Sequence, residues 1–540
     1  MTRSPKLLLA LASLALAAGA IAVAFTWQPG LATFHDDSAS YLVMAQAFSP
    51  WQAASAPVMA QMPYEKYPPL FPLLLALGGA AFEWHWAHAL VALAFAASVF
   101  FLGVYAARAS ASPVAGVVAA LLYIALPGVW LNVKGILSEF PYMAITFGAL
   151  AWMAGRPADS RLSRRDAIVM ATLLAAAMLT RTIGFTLAAA VAIAHVAAYA
   201  RQREPGRLRE LALALGLACA VTAAWYAVRP AGGDDAYVAS SVGVVDRARS
   251  DGAGWIATLV MANARAIFDA WLNALVIYWG EAWQPKFLAC AALGIAGLAA
   301  TAWRAWHLQI DGLYVALFLA VLVAWPFPGQ MYRLALPVLP LVLALTWCEI
   351  ANAARARWGA RMAPRAAAYA AALPLAFCVP ALFYIAERAR MPDQSATLAR
   401  TKEIMEYYRI PFRPDAEASA VRQLLGFDDM ARIRDTTPRD ARVMGYGPAY
   451  IALLASRRGV PLDYPADAAD MAAQVRRERP DYIYLSGVHP RDSAQRLGDP
   501  MAPARYLAGH ADAVWWRAGA DGAPEATLLQ VHPDRPEDAR

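Results

Sequence analysis

The strongest constraint on this chain is a series of uncharged, apolar runs that recur between residues 7 and 386. Each run is about 15–25 residues long, which matches the length needed to cross the hydrocarbon of a bilayer. Only 16% of the residues are charged and 60% are hydrophobic, whereas soluble domains carry about 25% charged residues. The sequence therefore predicts a polytopic α-helical membrane protein.

The distribution of arginine predicts the topology. Arginines collect on the cytoplasmic side of membrane proteins, and this pattern is kept only if the short apolar segment 68–82 lies in the outer interface without crossing. About eleven spans follow, with the N-terminus in the cytoplasm and the C-terminus outside. Residues 7–27 could also be a signal peptide, but their length and the terminal Trp27 favour an uncleaved span. The predicted spans are 7–27, 86–107, 114–131, 136–154, 167–180, 183–200, 210–228, 286–303, 312–327, 332–350 and 366–386.

The charge distribution, the positions of the cysteines and the motifs of the sequence argue against several other classes of protein. The net charge is +7, but the arginines lie in short loops between apolar runs, so the charge does not indicate nucleic-acid binding. The four cysteines all lie within apolar runs and are interpreted as small buried hydrophobes. The chain carries no Walker motif, no Gly-rich phosphate loop and no HExxH, so ATP-driven transport and zinc proteolysis lack support.

Two further regions are predicted outside the membrane. Residues 229–284 are amphipathic and Trp-rich in their second half, a pattern typical of helices lying in the interface. Residues 387–540 contain no run that could span. We interpret them as a soluble α/β domain tethered behind the last span. Its predicted strands are 443–446, 482–485, 514–517 and 527–531, and its predicted helices are 449–456 and 466–478.

Adjacent aspartates follow the first span. Charged residues close to lipid usually mark function, so Asp36 or Asp37 could accept a proton from a hydroxyl or amine nucleophile. The alternative is a solvated loop in which an aspartate caps a helix that starts near Ser38.

Glu65, Lys66 and Tyr67 precede two prolines that stiffen the backbone. The Lys66 ammonium could hold a lipid phosphate as a point charge, or it could simply anchor the loop at the interface.

Three further charged residues are predicted on the same outer face. Glu139 could orient a substrate group, or it could be only a solvated helix end. Arg181 and the pair Tyr332-Arg333 fall on the outer side, against the general trend for arginine. Binding of a phosphate by the guanidinium would explain this, and pairing with an acid across helices is the alternative. One aspartate pair and Glu139 could also bind a divalent metal, or none.

The order of these motifs resembles the C-type membrane glycosyltransferases, in particular the bacterial relatives of protein O-mannosyltransferases and of the lipid A aminoarabinose transferase. The resemblance covers roughly residues 7–350. Ser38 stands where the family often has a second acid, and Glu139 stands where relatives often have Asp. The matching stretches are 37–41, 65–70, 138–141, 180–184 and 332–334, with Pro337 and Pro340.

The resemblance implies roles for some of the candidate residues. Asp37 matches the catalytic base, with Asp36 as the fallback. Lys66 matches the lysine that contacts the donor phosphate, Arg333 matches the basic residue near that phosphate, and Glu139 matches the second outer acid.

The resemblance also implies the reaction and its setting. A sugar would pass from a polyprenyl-phosphate donor to an unidentified acceptor (lipid, glycan or protein) by an inverting single displacement, and no cofactor is certain. Residues 1–386 would form the transferase domain, with 28–82 as its catalytic outer loop, and 387–540 a periplasmic domain at a bacterial inner membrane. A transporter or flippase of lipid-linked glycan and an assembly protein remain the rival hypotheses.

Overall fold

The computed structural model shows a helical bundle followed by a small sheet near the C-terminus. The residues that the structure describes are 4–27, 30–31, 37–62, 67–156, 163–202, 205–228, 236–275, 284–388, 416–445, 447–462, 465, 467–486, 502–518 and 524–532. This architecture confirms the predicted fold class, a polytopic helical membrane protein with a C-terminal α/β region.

Apolar helices occupy the positions of the predicted spans. The helices that precede the sheet are α1 (Pro5–Thr26), α2 (Ser38–Phe48), α3 (Ala56–Gln61), α4 (Leu70–Leu77), α5 (Trp84–Ala109), α6 (Pro113–Ala125), α7 (Pro127–Asn132), α8 (Glu139–Ala154), α9 (Arg164–Thr180), α10 (Phe185–Gln202), α11 (Pro205–Val228), α12 (Ala236–Leu275), α13 (Gln284–Trp306), α14 (Ile310–Val323), α15 (Met331–Leu334), α16 (Leu339–Trp358) and α17 (Met362–Arg388).

Fewer helices are long and apolar enough to cross a membrane than the arginine pattern predicts. Within the described residues, 6 helices are long and apolar enough to cross a membrane, or 7 if the bent pair α15 and α16 counts as one span. The predicted count of eleven therefore stays a prediction. The eight-residue α4 is too short to cross, as expected for segment 68–82.

Two predicted spans are wrong as continuous helices. Residues 332–350 divide between α15 and α16, which form a pair bent by 58°. Residues 114–131 divide into α6 and α7 at Leu126, whose backbone is extended (φ −67, ψ 115). Pro127 follows directly, and a proline disfavours helical geometry in the residue before it while fitting well at a helix start. The interval 229–284 contains the long helix α12, which bends at Gly252 and packs against α7, α13, α14 and α15.

The bundle is built around α5, which contacts α1, α6 and α8. Two glycines, Gly103 in α5 and Gly116 in α6, lie where these helices approach each other closely. A Cβ at Gly103 would lie 2.6 Å from Leu11 Cδ2, and a Cβ at Gly116 would lie 2.6 Å from both Ala107 Cβ and the Gly103 carbonyl oxygen. Only glycine leaves room for the backbones of α5 and α6 to meet here.

A buried ionic cluster lies near the end of α5. The Arg304 guanidinium donates to both carboxylate oxygens of Asp311, at 2.9 and 2.6 Å, and to Glu349 at 2.5 Å. Tyr105 donates to Asp311 Oδ2 at 2.6 Å. These contacts join α5, α13, α14 and α16. We refer to Tyr105, Arg304, Asp311 and Glu349 as the Arg304 cluster.

The C-terminal region forms a five-stranded sheet in the order β2-β1-β3-β5-β4. Strand β1 is parallel to β2 and β3, while β5 is antiparallel to β3 and β4. All four predicted strands are confirmed, but β2 was not predicted. The elements are α18 (Ala416–Thr436), β1 (Arg442–Gly445), α19 (Pro448–Tyr450), the π-helical turn Ile451–Ala455, β2 (Arg458–Pro461), α20 (Ala468–Glu478), β3 (Tyr482–Ser486), α21 (Ala502–His510), β4 (Ala511–Ala518) and β5 (Pro524–Val531).

The sheet region packs on the first outer segment of the bundle. Helix α3 contacts β2 and the π-helical turn, and α2 contacts α19 and the same turn. The helix that begins directly after Asp37 is therefore braced by the C-terminal region.

The α5–α6 approach generates the first prediction. We expect Gly116→Val to lower the free energy of unfolding by roughly 1–3 kcal/mol, because the side chain overpacks two backbones. Thermal unfolding of the purified protein in detergent measures this. The matched control is Gly216→Val, since a Cβ at Gly216 meets nothing within 4 Å. Equal unfolding temperatures for the two variants would contradict the assigned packing.

Candidate functional site

Asp37 lies at the start of α2, where two side chains from distant segments hold its carboxylate. The Tyr67 hydroxyl donates to Oδ1 at 2.6 Å, and Nη2 of Arg333 donates to Oδ2 at 2.7 Å. Asp37 occupies the N-cap position of α2, but its side chain makes no capping hydrogen bond. The alternative that this aspartate caps the helix is therefore wrong, because its oxygens are directed to Tyr67 and Arg333 instead.

Glu139 begins α8 and is a buried acid, with only 2% of its side chain exposed. Its Oε1 lies 2.6 Å from Nη1 of Arg181 and 3.3 Å from Nε of Arg333. Both guanidinium groups approach outside hydrogen-bond geometry, and Oε2 has no hydrogen-bond partner among the described residues. The alternative of a solvated helix end is therefore wrong.

Arg181 is placed by the turn that ends α9. Its backbone is extended (φ −147, ψ 136) and leads into the 3-10 turn Thr182–Gly184. A Cβ at Gly184 would lie 2.5 Å from the carbonyl carbon of Ala177, so glycine allows this turn to fold tightly against α9. Nη1 of Arg181 also donates to Oγ of Ser138 at 3.2 Å.

These side chains form one network in which negative and positive groups alternate. Arg333 contacts Asp37 and Glu139, and Arg181 contacts Glu139. Among the described residues, two carboxyl groups therefore face two guanidinium groups. Such a buried arrangement is stable only while the charges remain paired. The order of the network is Tyr67, Asp37, Arg333, Glu139, Arg181 and Ser138.

The environment of Asp37 changes its proton affinity. Burial alone would raise the pKa of this carboxyl, but the charge and hydrogen bond of Arg333, the hydrogen bond of Tyr67 and the charge of Arg181 together outweigh burial. The net effect holds the pKa of Asp37 below its ordinary value of 3.8. The carboxyl is therefore ionised at neutral pH, and it is a weaker base than a free aspartate.

The remaining predicted residues are not all described. Asp36, Glu65 and Lys66 lie outside the described residues. Tyr332 has 53% of its surface exposed and directly precedes Arg333 in α15. The predicted Asp37, Glu139, Tyr67, Arg181 and Arg333 are brought together.

Several hydroxyl groups of the site were not predicted as functional. The Tyr41 hydroxyl and Ser138 Oγ are 2.7 Å apart, and both residues stand within the motifs that carry the family resemblance. Deeper in the bundle, the hydroxyls of Tyr142 and Tyr314 are 3.0 Å apart. Tyr142 follows Glu139 by three residues and therefore shares its face of α8. This spacing is visible in the sequence and could have identified Tyr142 as a residue on the same side of the helix as Glu139.

The described acids do not form a metal-ligand set. No group of three or more His, Cys, Asp or Glu side chains is suitably placed in the described part of the chain. Arg333 lies between Asp37 and Glu139, so a divalent cation there would meet a guanidinium charge. These residues fit an anion beside the arginines better than a cation between the acids.

Comparison with known proteins identifies structures but no sequence relatives. No protein-family model and no curated protein sequence matches the chain. The Archaeoglobus fulgidus oligosaccharyltransferase is similar over 99% of this chain and 75% of its own, with 13% identity and a TM-score of 0.49.

Two other solved structures are similar over nearly the whole chain. ArnT from Cupriavidus metallidurans is matched over 96% of this chain and 97% of its own, at 15% identity and a TM-score of 0.46. Arabinofuranosyltransferase AftD from Mycobacteria is matched over 97% of this chain and 40% of its own, at 15% identity and a TM-score of 0.40. All three are C-type glycosyltransferases, the family that the sequence motifs resemble.

The contacts of Arg333 with both Asp37 and Glu139 generate a stability prediction. Arg333→Gln leaves Asp37 without its cation and weakens the neutralisation of Glu139, so we expect it to lower the free energy of unfolding by roughly 3 kcal/mol. Asp37→Asn should lower the free energy of unfolding by a smaller amount, because Arg333 still contacts Glu139. Thermal unfolding in detergent compares the two variants. The surface pair Arg249–Asp246 supplies the control Arg249→Gln, for which little change is expected. A larger loss for Asp37→Asn than for Arg333→Gln would contradict the network.

The lowered pKa of Asp37 generates a pH prediction. A carboxyl whose folded pKa is depressed stabilises the fold above its unfolded pKa, and this contribution is lost as the pH falls through the folded pKa. We expect wild type to unfold at a higher temperature than Asp37→Asn at pH 7, and the difference to shrink once the pH falls below the ordinary value of 3.8. A difference that stays constant from pH 7 to pH 3 would show that the charge of Asp37 does not stabilise the fold.

Proposed function

We propose that this protein is a membrane glycosyltransferase. It transfers a hexosyl or pentosyl group from a polyprenyl-phosphate donor to an extracytoplasmic lipid, glycan or protein. The observation that carries the proposal is the meeting of Asp37, Glu139, Arg181 and Arg333. Residues from four separate segments supply both a carboxylate base and a pair of cations, which this reaction requires.

Asp37 is assigned the role of general base. Its side chain is 24% exposed, so an acceptor hydroxyl or amine can reach it. Proton removal lets the acceptor attack the anomeric carbon in one displacement, which inverts the configuration at that carbon. Glu139 is assigned an orienting role, since its Oε1 lies beside both guanidinium groups.

Arg181 and Arg333 are assigned to the donor phosphate. The leaving phosphate gains negative charge as the sugar–oxygen bond breaks, and fixed guanidinium groups stabilise that charge in a water-poor site. Family resemblance adds Lys66 as a phosphate contact, Glu65 and Tyr332 as further substrate contacts, and Asp36 as the alternative base.

A lipid donor is supported by the apolar surface beside the site. Helix α4 packs against α2, and Phe71 in α4 lies edge-on to Tyr41 at 5.0 Å. The outer face of α4 exposes Leu74 and Leu77, with 39% and 61% of their surfaces accessible. A polyprenyl chain lying along this face would bring its phosphate toward Arg333 without leaving the membrane.

The distribution of aromatic and cationic residues supports the proposed orientation. Trp27 and Trp86 pack edge to face at 5.1 Å at the site end of α1 and α5, a position typical of an interfacial aromatic belt. Arg304 and the largely exposed Trp306 lie in the last turn of α13. We assign the Arg304 end to the cytoplasm of a bacterial inner membrane. Residues 387–540 then lie in the periplasm, behind a transferase domain formed by residues 1–386.

Translocation of a lipid-linked glycan is the second candidate. One observation favours it, because α15 and α16 form a pair bent by 58° beside Arg333 and transporters commonly use broken helices at their binding sites. The two functions differ in chemistry, since only the transferase releases polyprenyl phosphate.

Release of polyprenyl phosphate therefore tests the proposed function. Membranes containing the protein are incubated with polyprenyl-phosphate hexoses and pentoses, with envelope extract as the acceptor source. We expect Asp37→Asn to reduce release about 100-fold or more, the usual effect of losing a general base. Asp435→Asn removes a surface aspartate paired with Arg434 and should leave release unchanged. Unreduced release by Asp36→Asn/Asp37→Asn would remove the proposed base, and translocation without release would favour the transporter.

A further inference from the structure

Arg333 and Arg181 each contact an acid of the site in the described part of the chain. Arg333 uses Nη2 for Asp37 and Nε for Glu139, and Arg181 uses Nη1 for Glu139. Asp37 has both oxygens engaged, by Tyr67 and by Arg333. A phosphate that reaches Arg333 brings a further negative charge to a guanidinium that, among the described residues, already contacts two carboxyl groups. It therefore competes with these two groups for the same cation.

We propose that the donor phosphate competes with Asp37 for Arg333, so that donor binding releases Asp37 and thereby activates it as a base. This inference rests on the proposed function and concerns the order of events at the same site. Glu139 keeps Arg181 throughout, and Asp37 keeps the hydroxyl of Tyr67.

The contact between Arg333 and Asp37 is the one best placed to exchange. Asp37 is the more accessible acid, with 24% of its side chain exposed against 2% for Glu139. Arg333 lies in the four-residue helix α15, between a 3-10 turn and the bend that leads into α16. Its contact with Asp37 therefore involves the more exposed of the two acids and a short helical segment next to a bend.

Release changes the chemistry of Asp37 in the required direction. While Arg333 is bound, the pKa of the carboxyl lies below its ordinary value, which makes it a poor proton acceptor. Transfer of Arg333 to the phosphate removes the main opposing charge, so burial then raises the pKa. The base is weak in the empty site and stronger when the donor is present.

The charges balance through the transfer step. The acceptor gives its proton to Asp37, the acceptor atom bonds to the anomeric carbon, and the bond from that carbon to the phosphate oxygen breaks with its electron pair on the phosphate. Asp37 changes from −1 to neutral, while the phosphate changes from a −1 diester to a −2 monoester. The step therefore moves one negative charge from the carboxylate of Asp37 to the phosphate, which Arg333 already contacts.

Binding of polyprenyl monophosphate, the product of the proposed reaction, tests the exchange without any sugar transfer. Affinity is measured on the purified full chain in lipid nanodiscs at fixed pH and salt. We expect Asp37→Asn to bind about ten-fold more tightly than wild type, because Arg333 is then free of its main competitor. Arg333→Gln should bind more weakly, and Asp37→Asn/Arg333→Gln should bind no more tightly than Arg333→Gln. Asp37→Ser supplies a second neutral replacement, and Asp435→Asn is the matched control with unchanged affinity.

The outcomes separate the inference from the function on which it rests. Equal or weaker binding by both neutral Asp37 variants, with clear binding by wild type, overturns the exchange and leaves the transferase proposal standing. Tighter binding that persists in the Arg333→Gln background also overturns it, because the effect would not act through Arg333. Absence of binding by wild type overturns both proposals.

Discussion

The structure depends most on the double contact of one guanidinium with two carboxylates. Arg333 reaches Asp37 from 296 residues away in the sequence and also contacts Glu139. Burying a carboxylate among apolar helices is costly unless a cation lies beside it. The pairing therefore fixes α15 against the starts of α2 and α8, and it places the proposed base and the proposed phosphate-binding cation side by side.

The Arg304 cluster shows the same principle at the far end of the bundle. There one arginine meets Asp311 and Glu349, and Arg108, near the end of α5, donates to the carbonyl oxygen of Ala151 near the end of α8. Glu139 begins that same helix, so α8 starts at the network of Arg333 and is held near its other end by Arg108. The difference lies in accessibility, because the pair of Arg304 and Asp311 is largely enclosed, whereas Asp37 stays partly open.

The sequence predicts the membrane class and the members of the site well, because both depend on local signals. Apolar runs specify the helices, and a charged residue beside such a run is costly enough to mark Asp37, Glu139, Arg181 and Arg333. The pairings among these residues are not local, and the sequence leaves open whether each arginine binds an acid or a phosphate. The break at Leu126 was missed because the apolar run continues through it and only Pro127 indicates a boundary. Strand β2 was missed because Arg458 and Gly459 obscure its four residues.

The contact between the C-terminal region and the first outer segment couples the position of the sheet to that of Asp37. Strand β2 packs against α3, and the π-helical turn packs against both α2 and α3. Because α2 begins directly after Asp37, a displacement of the sheet region relative to the bundle would move the start of this helix. The orientation of the Asp37 carboxylate therefore depends on a part of the chain that is about 400 residues away in the sequence and contributes strands to a separate sheet.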